Sequence, residues 1–436
     1  MQNNQEATRS TCYCPACKRC FQRFGSSGKA GVVSCCFFFD LCEYIRGPAL
    51  DNTGPSLLIP SSFTGLREPT LSFISTNTMV NLIILAGGYT NFIATYLFNS
   101  TSSNLTLLGQ SPSGENPSWI ASHPTNKSIL YAVNEAFNGL GQLQSFLVGQ
   151  DGALFNVANA SSGGDGPAFV NPLSTGEVAI MNFGSGDGKF VPTKEDPLEF
   201  DDTAPVVTFP TPEKPPPSNF SRPHMALDVG SEVLVPDLGG DTVWRLAKDN
   251  ITGEYKIQGQ LQQPPNSGPR HIAVKGNTLY TIHETDSTLT QQAIPQDPTA
   301  PSPMIATFNI TPPNPPPQAQ FAAAEIRLLD SSPKFPKAYI YASNRNIGPV
   351  PAPEGDAIAV YEVEPQLKFV KHVFTGLQQI RGMEFGGDEN EFLVAAGNVG
   401  EAGTIVMRRT NGGADLEMVA QNTEILTRTT FVLLQQ

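Results

Sequence analysis

A chain of 436 residues with a formal net charge of −13 and an isoelectric point near 4.9 can bury a substantial core, but it carries the wrong sign for nucleic acid or an anionic membrane surface. Its 39 glycines and 38 prolines, with few apolar stretches at helical spacing, read as all-β with many turns. The apolar run NLIILAG (81–87) is too short to span a bilayer.

The chain opens without a charged-then-apolar signal region, so a cytoplasmic protein is expected. Sequons at Asn99, Asn104, Asn126, Asn159, Asn219, Asn250 and Asn309 leave secretion open. All seven cysteines (Cys12, Cys14, Cys17, Cys20, Cys35, Cys36 and Cys42) precede residue 43. A zinc site could use Cys14-x-x-Cys17 or Cys17-x-x-Cys20. The later thiols, however, are an adjacent pair and a lone Cys42 with no histidine near them, which is poor spacing for a closed site. Residues 1–78 are therefore expected to be a disordered or non-native leader, with the domain running from Met79 to residue 436.

From Met79 onward a loose repeat is traceable. Its openings are ENPSWIASHP (115–124), DGPAFVNPL (165–173), SRPHMALDV (221–229), SGPRHIAVK (267–275), AAAEIRLLD (322–330) and QIRGMEFGG (379–387). Each is followed by a turn and a second strand ending in polar residues. Pro117, Pro167, Pro223 and Pro269 are spaced 50, 56 and 46 residues apart, a period expected of β-propeller blades. The first unit has only three strands, and TTFVLLQQ (429–436) is left over. Pairing that strand with the first unit closes a ring of seven four-stranded blades without an open edge.

The first strand of a blade lies beside the central channel and the second returns antiparallel, so the start of one and the end of the other share a face. That rule sends His224, Asp237, Arg270, His271, Glu284, Asn134, Glu135 and Arg345 to one mouth of the channel. The proline-rich stretches FPTPEKPPPSNF (209–220) and ITPPNPPPQAQ (310–320) precede blade openings and belong to loops on that side, either as a semi-rigid rim or as tolerated insertions. His123 and His372 fall outside the convergent set, and His283 is expected to pack between blades.

The segments LAGGYTNFIATYLFN, NPSWIA, LYAVNE, FGSG, LVPDLGGD, SGPRHIAV and ASNR, in this order over residues 79–436, resemble the seven-bladed lactonase family. That family includes 6-phosphogluconolactonases and the fungal 3-carboxy-cis,cis-muconate cyclase. Within the family, the resemblance to the cyclase branch implies a site without metal or other cofactor, built from His224, Arg270, Glu284 and Arg345. Its ligand would be a small anionic lactone or the open-chain acid; oligomeric state is left open. Two positions depart from the family pattern. Phe169 stands where many members have histidine, and IRGM keeps Arg381 but lacks the acid that commonly follows it.

The residue types suit such chemistry. Arg270 and Arg345 can fork onto a carboxylate or phosphate. His224 can exchange a proton near neutral pH, and Glu284 can do so if burial raises its pKa. His271, Glu135 and Arg381 are candidate substrate-binding residues. Asp237, which precedes Gly-Gly by one residue, fits ordinary turn chemistry, and Arg345 could equally satisfy carbonyls of a neighbouring turn. Two other classes stay open: a non-catalytic interaction scaffold, and a calcium-dependent lactonase using Glu135, Asn182 and Asp237 as oxygen ligands.

Overall fold

The computed structural model describes residues 81–215 and 219–435. The cysteine-bearing segment, its zinc reading and the domain start at Met79 lie outside the described residues. Twenty-eight strands, numbered β1 to β28 in chain order, form seven four-stranded antiparallel sheets arranged as a seven-bladed propeller. The innermost strands are β4 (Ile120–Ser122), β8 (Pro167–Pro172), β12 (Leu227–Val229), β16 (Pro269–Lys275), β20 (Phe321–Leu329), β24 (Gln378–Gly386) and β28 (Thr430–Gln435). Among the described residues the only helical turns are two 3-10 segments, Asp388–Asn390 and Asn411–Gly413.

Burial explains the hydrophobic patterning. The second strands β5 (Ile129–Asn134) and β9 (Glu177–Asn182) are buried at every position, because neighbouring blades cover both of their faces. The outer strands β15 (Tyr255–Gln262) and β19 (Met304–Asn309) alternate between covered and more exposed residues, as expected at a sheet edge with one wet face. Both proline-rich stretches lie where expected, between an outer strand and the next inner strand.

The ring closes as the leftover strand suggested. β28 is the inner strand of the first blade, pairing antiparallel with β1 (Asn81–Gly87) from Leu82↔Gln435 to Gly87↔Thr430. The closure seals an interblade core in which Leu82, Ile84, Tyr96 and Phe98 of the first blade and Phe431 pack with Phe392 and Val394 of the last. Phe98 and Phe392 meet edge to face at 4.9 Å. Truncating Phe431 to alanine is expected to cost about 3–5 kcal/mol, read from denaturant unfolding. Deleting 430–436 removes the whole pairing strand and is expected to give an aggregating species on size-exclusion chromatography. A stable monomer after that deletion would contradict the role assigned to the closing strand.

Candidate active site

The mouth is built by backbone bulges as much as by side chains. In β16 the register slips between Pro269 and His271, so Arg270 has no partner in β17 (Thr278–His283). Equivalent slips occur between Ala323 and Ile326 in β20 and between Ile380 and Met383 in β24. A bulge re-aims side chains. Here bulges carry Arg270, Glu325 and Arg381, all buried, at the mouth end of three inner strands. Gly268, at φ +67°, begins the first of these; a Cβ there would stand 2.4 Å from Thr285 Oγ1.

Glu284 follows β17 directly and is the hub. Its Oε2 lies 2.7 Å from Arg270 Nε and 2.8 Å from Arg345 Nη2, the latter from β21 (Tyr339–Asn346) of the next blade. Arg270 is 1% exposed and Glu284 28%, so a partly buried carboxylate faces two more deeply sequestered guanidiniums. The guanidiniums are also held by main-chain carbonyls at the β20 bulge. Arg270 Nη1 donates to Ala324 O, and Arg345 donates to Ala322 O (3.3 Å) and Ala323 O (3.2 Å). Arg345 thus both satisfies carbonyls and pairs with Glu284.

Two sequence-based expectations about protonation are corrected. Burial alone would raise the Glu284 pKa, but the cations of Arg345, Arg270 and Arg381 outweigh it, and the carboxyl titrates below its usual range. His224 is not poised near neutrality: burial, then the Arg270 charge, drives its pKa well below the ordinary value. His271 is depressed in the same way. Burial and the Arg345 charge lower Arg270 to about 9, which leaves it a cation at neutral pH.

Both imidazoles sit in an aromatic cage. His224 meets His271 at 5.1 Å and Phe183 at 5.5 Å, while Trp119 and Phe169 press on His271 at 5.0 and 5.5 Å. Nδ1 of His224 is buried without a hydrogen-bond partner. His271 Nδ1 instead lies 3.1 Å from Glu325 Oε1, and burial raises the pKa of that carboxyl. The sequence reading overlooked Glu325. The signal was present in AAAEIRLL, where Glu325 and Arg327 alternate on one face of an otherwise apolar inner strand.

Glu135 and Arg381 reach the same mouth from other blades as a looser pair, 3.5 Å apart. Arg381 also donates to Ser118 O at 3.0 Å and lies 5.4 Å from the Tyr89 ring, whose hydroxyl donates to Glu135 at 3.4 Å. The acid missing after Arg381 has a steric reason here: any Cβ at Gly382 would stand 2.2 Å from Thr429 O. Phe169, in place of histidine, stacks on Trp119 at 4.8 Å and so becomes part of the site's apolar floor. His283 packs internally between Thr288 Oγ1 and Gln263 Oε1, each at 3.0 Å.

The candidate oxygen ligands for calcium do not converge. Asp237 accepts hydrogen bonds from Ser221 Oγ, the Arg222 and Gly240 amides and Trp244 Nε1, which is turn chemistry. Asn182 donates to Ser162 O and Asp187 Oδ1, and Glu135 is engaged by Arg381. Among the described residues, no three His, Cys, Asp or Glu side chains gather as a metal-binding group.

The protonation states have a measurable consequence. A histidine kept neutral in the fold but free to charge when unfolded costs stability as pH falls below about 6.5, by about 1.4 kcal/mol per pH unit. Melting temperature is therefore expected to fall from pH 7 to pH 5.5, and to fall less in His224→Phe; parallel profiles would contradict a neutral His224. Glu284→Gln uncovers two guanidiniums and is expected to cost about 3 kcal/mol in urea unfolding, with part recovered in the Glu284→Gln, Arg345→Gln double variant.

Comparison with known proteins places the fold and the sequence. The chain superposes on the periplasmic gluconolactonase of Pseudomonas aeruginosa with a TM-score of 0.70 at 19% identity, covering 82% of this chain and 99% of that one. A Lactobacillus plantarum protein gives 0.69 at 19% identity, covering 81% and 99%. A Bacteroides fragilis protein assigned provisionally as a 6-phosphogluconolactonase gives 0.68 at 20%, covering 83% and 99%. At these identities the likeness carries the fold. No curated protein sequence matches significantly. The family model described as "Lactonase, 7-bladed beta-propeller" matches residues 83–432, most of the chain and every blade, and the chain belongs to that family.

Proposed function

We propose that the protein hydrolyses a lactone of an anionic acid without a metal ion, at the mouth formed by His224, Arg270, Glu284 and Arg345. The observation that carries this reading is one ionised carboxylate shared by two guanidiniums, beside a neutral imidazole whose Nδ1 has no partner. Two cations against one anion leave net positive charge for a developing oxyanion. Family membership and the gluconolactonase named among the similar structures support the reaction class.

In this mechanism water attacks the lactone carbonyl while His224 takes its proton. Arg345 and Arg270 receive the oxyanion through fixed N–H groups, and Glu284 keeps the two guanidiniums apart and oriented. The ring C–O bond then breaks, and the leaving alkoxide takes the proton back from His224. The depressed pKa helps the second step, because a buried imidazolium facing arginines is a strong acid. His271, Glu135 and Arg381 line the same mouth as binding groups. The reverse, lactone-forming reaction draws on the same groups, and the match of His224, Arg270, Glu284 and Arg345 to the cyclase pattern makes 3-carboxy-cis,cis-muconate a second substrate to assay.

The test is turnover of glucono-δ-lactone, 6-phosphogluconolactone and carboxymuconate with and without chelator. Hydrolysis of a lactone unaffected by chelator is expected. His224→Asn is expected to lower kcat by about a hundredfold or more, and Arg345→Gln by a similar factor. Activity lost to chelator and restored by a divalent cation, or full activity in both variants, would overturn the proposal.

A further inference from the structure

Arg222 has no role in the site described so far, yet it stands two residues before His224 on the same mouth. Among the described residues no carboxylate lies within ion-pairing distance of its guanidinium, unlike Arg270, Arg345 and Arg381. Instead the guanidinium carbon sits 4.8 Å from the Phe183 ring centroid and 5.3 Å from that of Phe220. Phe183 is also the ring that meets His224, so the free cation and the proposed proton acceptor share one aromatic neighbour. We propose that Arg222 is a second anion-binding point: it takes a phosphate or carboxylate borne by the substrate at the end remote from its reacting carbonyl.

The surroundings are built for presentation rather than for neutralisation. The Arg222 amide donates to Asp237 Oδ1 at 2.6 Å and its carbonyl accepts from Leu238 N at 3.0 Å, which fixes the backbone. Upstream of it, Lys214 pairs with Asp241 at 2.6 Å and donates to Gly239 O at 2.8 Å, which anchors that residue to the turn following Asp237. Phe220, at the end of that loop, is 39% exposed and forms one wall. A planar cation held on aromatic rings loses little freedom on binding an anion and offers it a forked donor. Arg222 and His224 flank Pro223, which bridges to Asp237, and both side chains meet the Phe183 ring, so the cation and the imidazole lie side by side at the mouth. The proposal rests on the lactone reading for the position of the reacting carbonyl.

The test uses binding rather than turnover, on the full chain. Calorimetry compares 6-phosphogluconate (distal phosphate), glucarate (distal carboxylate) and gluconate (distal hydroxyl) on wild type, R222Q and R222K. Wild type is expected to bind at least one distal-anion acid about tenfold or more tightly than gluconate, and which of the two it prefers identifies the anion. R222Q is expected to erase that preference and R222K to keep part of it, with gluconate affinity changed less than about threefold in R222Q. No preference in wild type, a preference surviving R222Q, or an equal loss for all three acids would overturn the proposal. A selective Arg222 site in a protein that opens no lactone would instead overturn the reaction assigned above and leave the anion site standing.

Discussion

Glu284 is the contact on which the mouth of this propeller depends. Two arginines from adjacent blades approach each other in a largely dehydrated space, which charge repulsion alone would forbid. A single carboxylate oxygen, 2.7 and 2.8 Å from the two guanidiniums, makes the arrangement possible. Such a triad gains little for stability, because desolvating three charges offsets most of their attraction. What it provides is position. Arg270 and Arg345 are fixed relative to one another, and the carbonyls of Ala322, Ala323 and Ala324 engage further donors of each guanidinium. Those carbonyls lie beside or within the stretch where β20 leaves regular pairing. The irregular backbone is therefore part of the charged site, supplying acceptors that an unbroken ladder would have used internally.

Much of this was legible in the sequence, for a geometric reason. A repeat near fifty residues, read with antiparallel return inside each unit, gives both the ring and the face on which strand starts and ends meet. That places His224, Arg270, Glu284 and Arg345 together without any knowledge of side-chain packing, and it gives the closing role of β28. The bulges were not legible, because a register slip depends on what the neighbouring strand and blade allow. Nor were the protonation states. Glu284 was read through its own burial, whereas the deciding quantity is the number of cations that other blades bring to it. Glu325 was passed over inside an apolar run although its alternation with Arg327 marked a channel-facing side, and Arg222 was hidden behind the more conspicuous histidine of the same opening.

Phe169 and Gly382 show how two changes can reshape a site while its charged frame stays. Phe169 joins Trp119 and the edge of His271 in an apolar floor, and Gly382 lets the Thr429 backbone come so close that no side chain fits. Further along the inner strands a cavity of about 280 Å3 is lined by Trp119, Phe169, Met225, Arg327 and Glu384. Arg327 and Glu384 pair there at 2.8 Å, and burial raises the Glu384 pKa. The floor thus lies between the arginine-rich mouth and a lower channel in which Arg327 is paired with Glu384.

That asymmetry reconciles a net charge of −13 with the anionic ligand proposed above. Surface charges separated by more than about 8–10 Å are largely screened at physiological ionic strength, so the overall negative charge acts weakly at the mouth. Guanidiniums beside the ligand act in a medium of much lower effective dielectric, where one contact outweighs many distant charges. In the proposed function the two kinds of cation divide the task. Arg270 and Arg345 share Glu284 and keep one net positive charge between them, and in the proposed mechanism they are fixed for charge that develops at the carbonyl. Arg222, half-buried on its aromatic rings and free of any carboxylate partner among the described residues, keeps its full charge for the ground state. In this proposal binding and catalysis draw on different arginines, which is what an enzyme needs if it is to hold its substrate without holding it as tightly as the transition state.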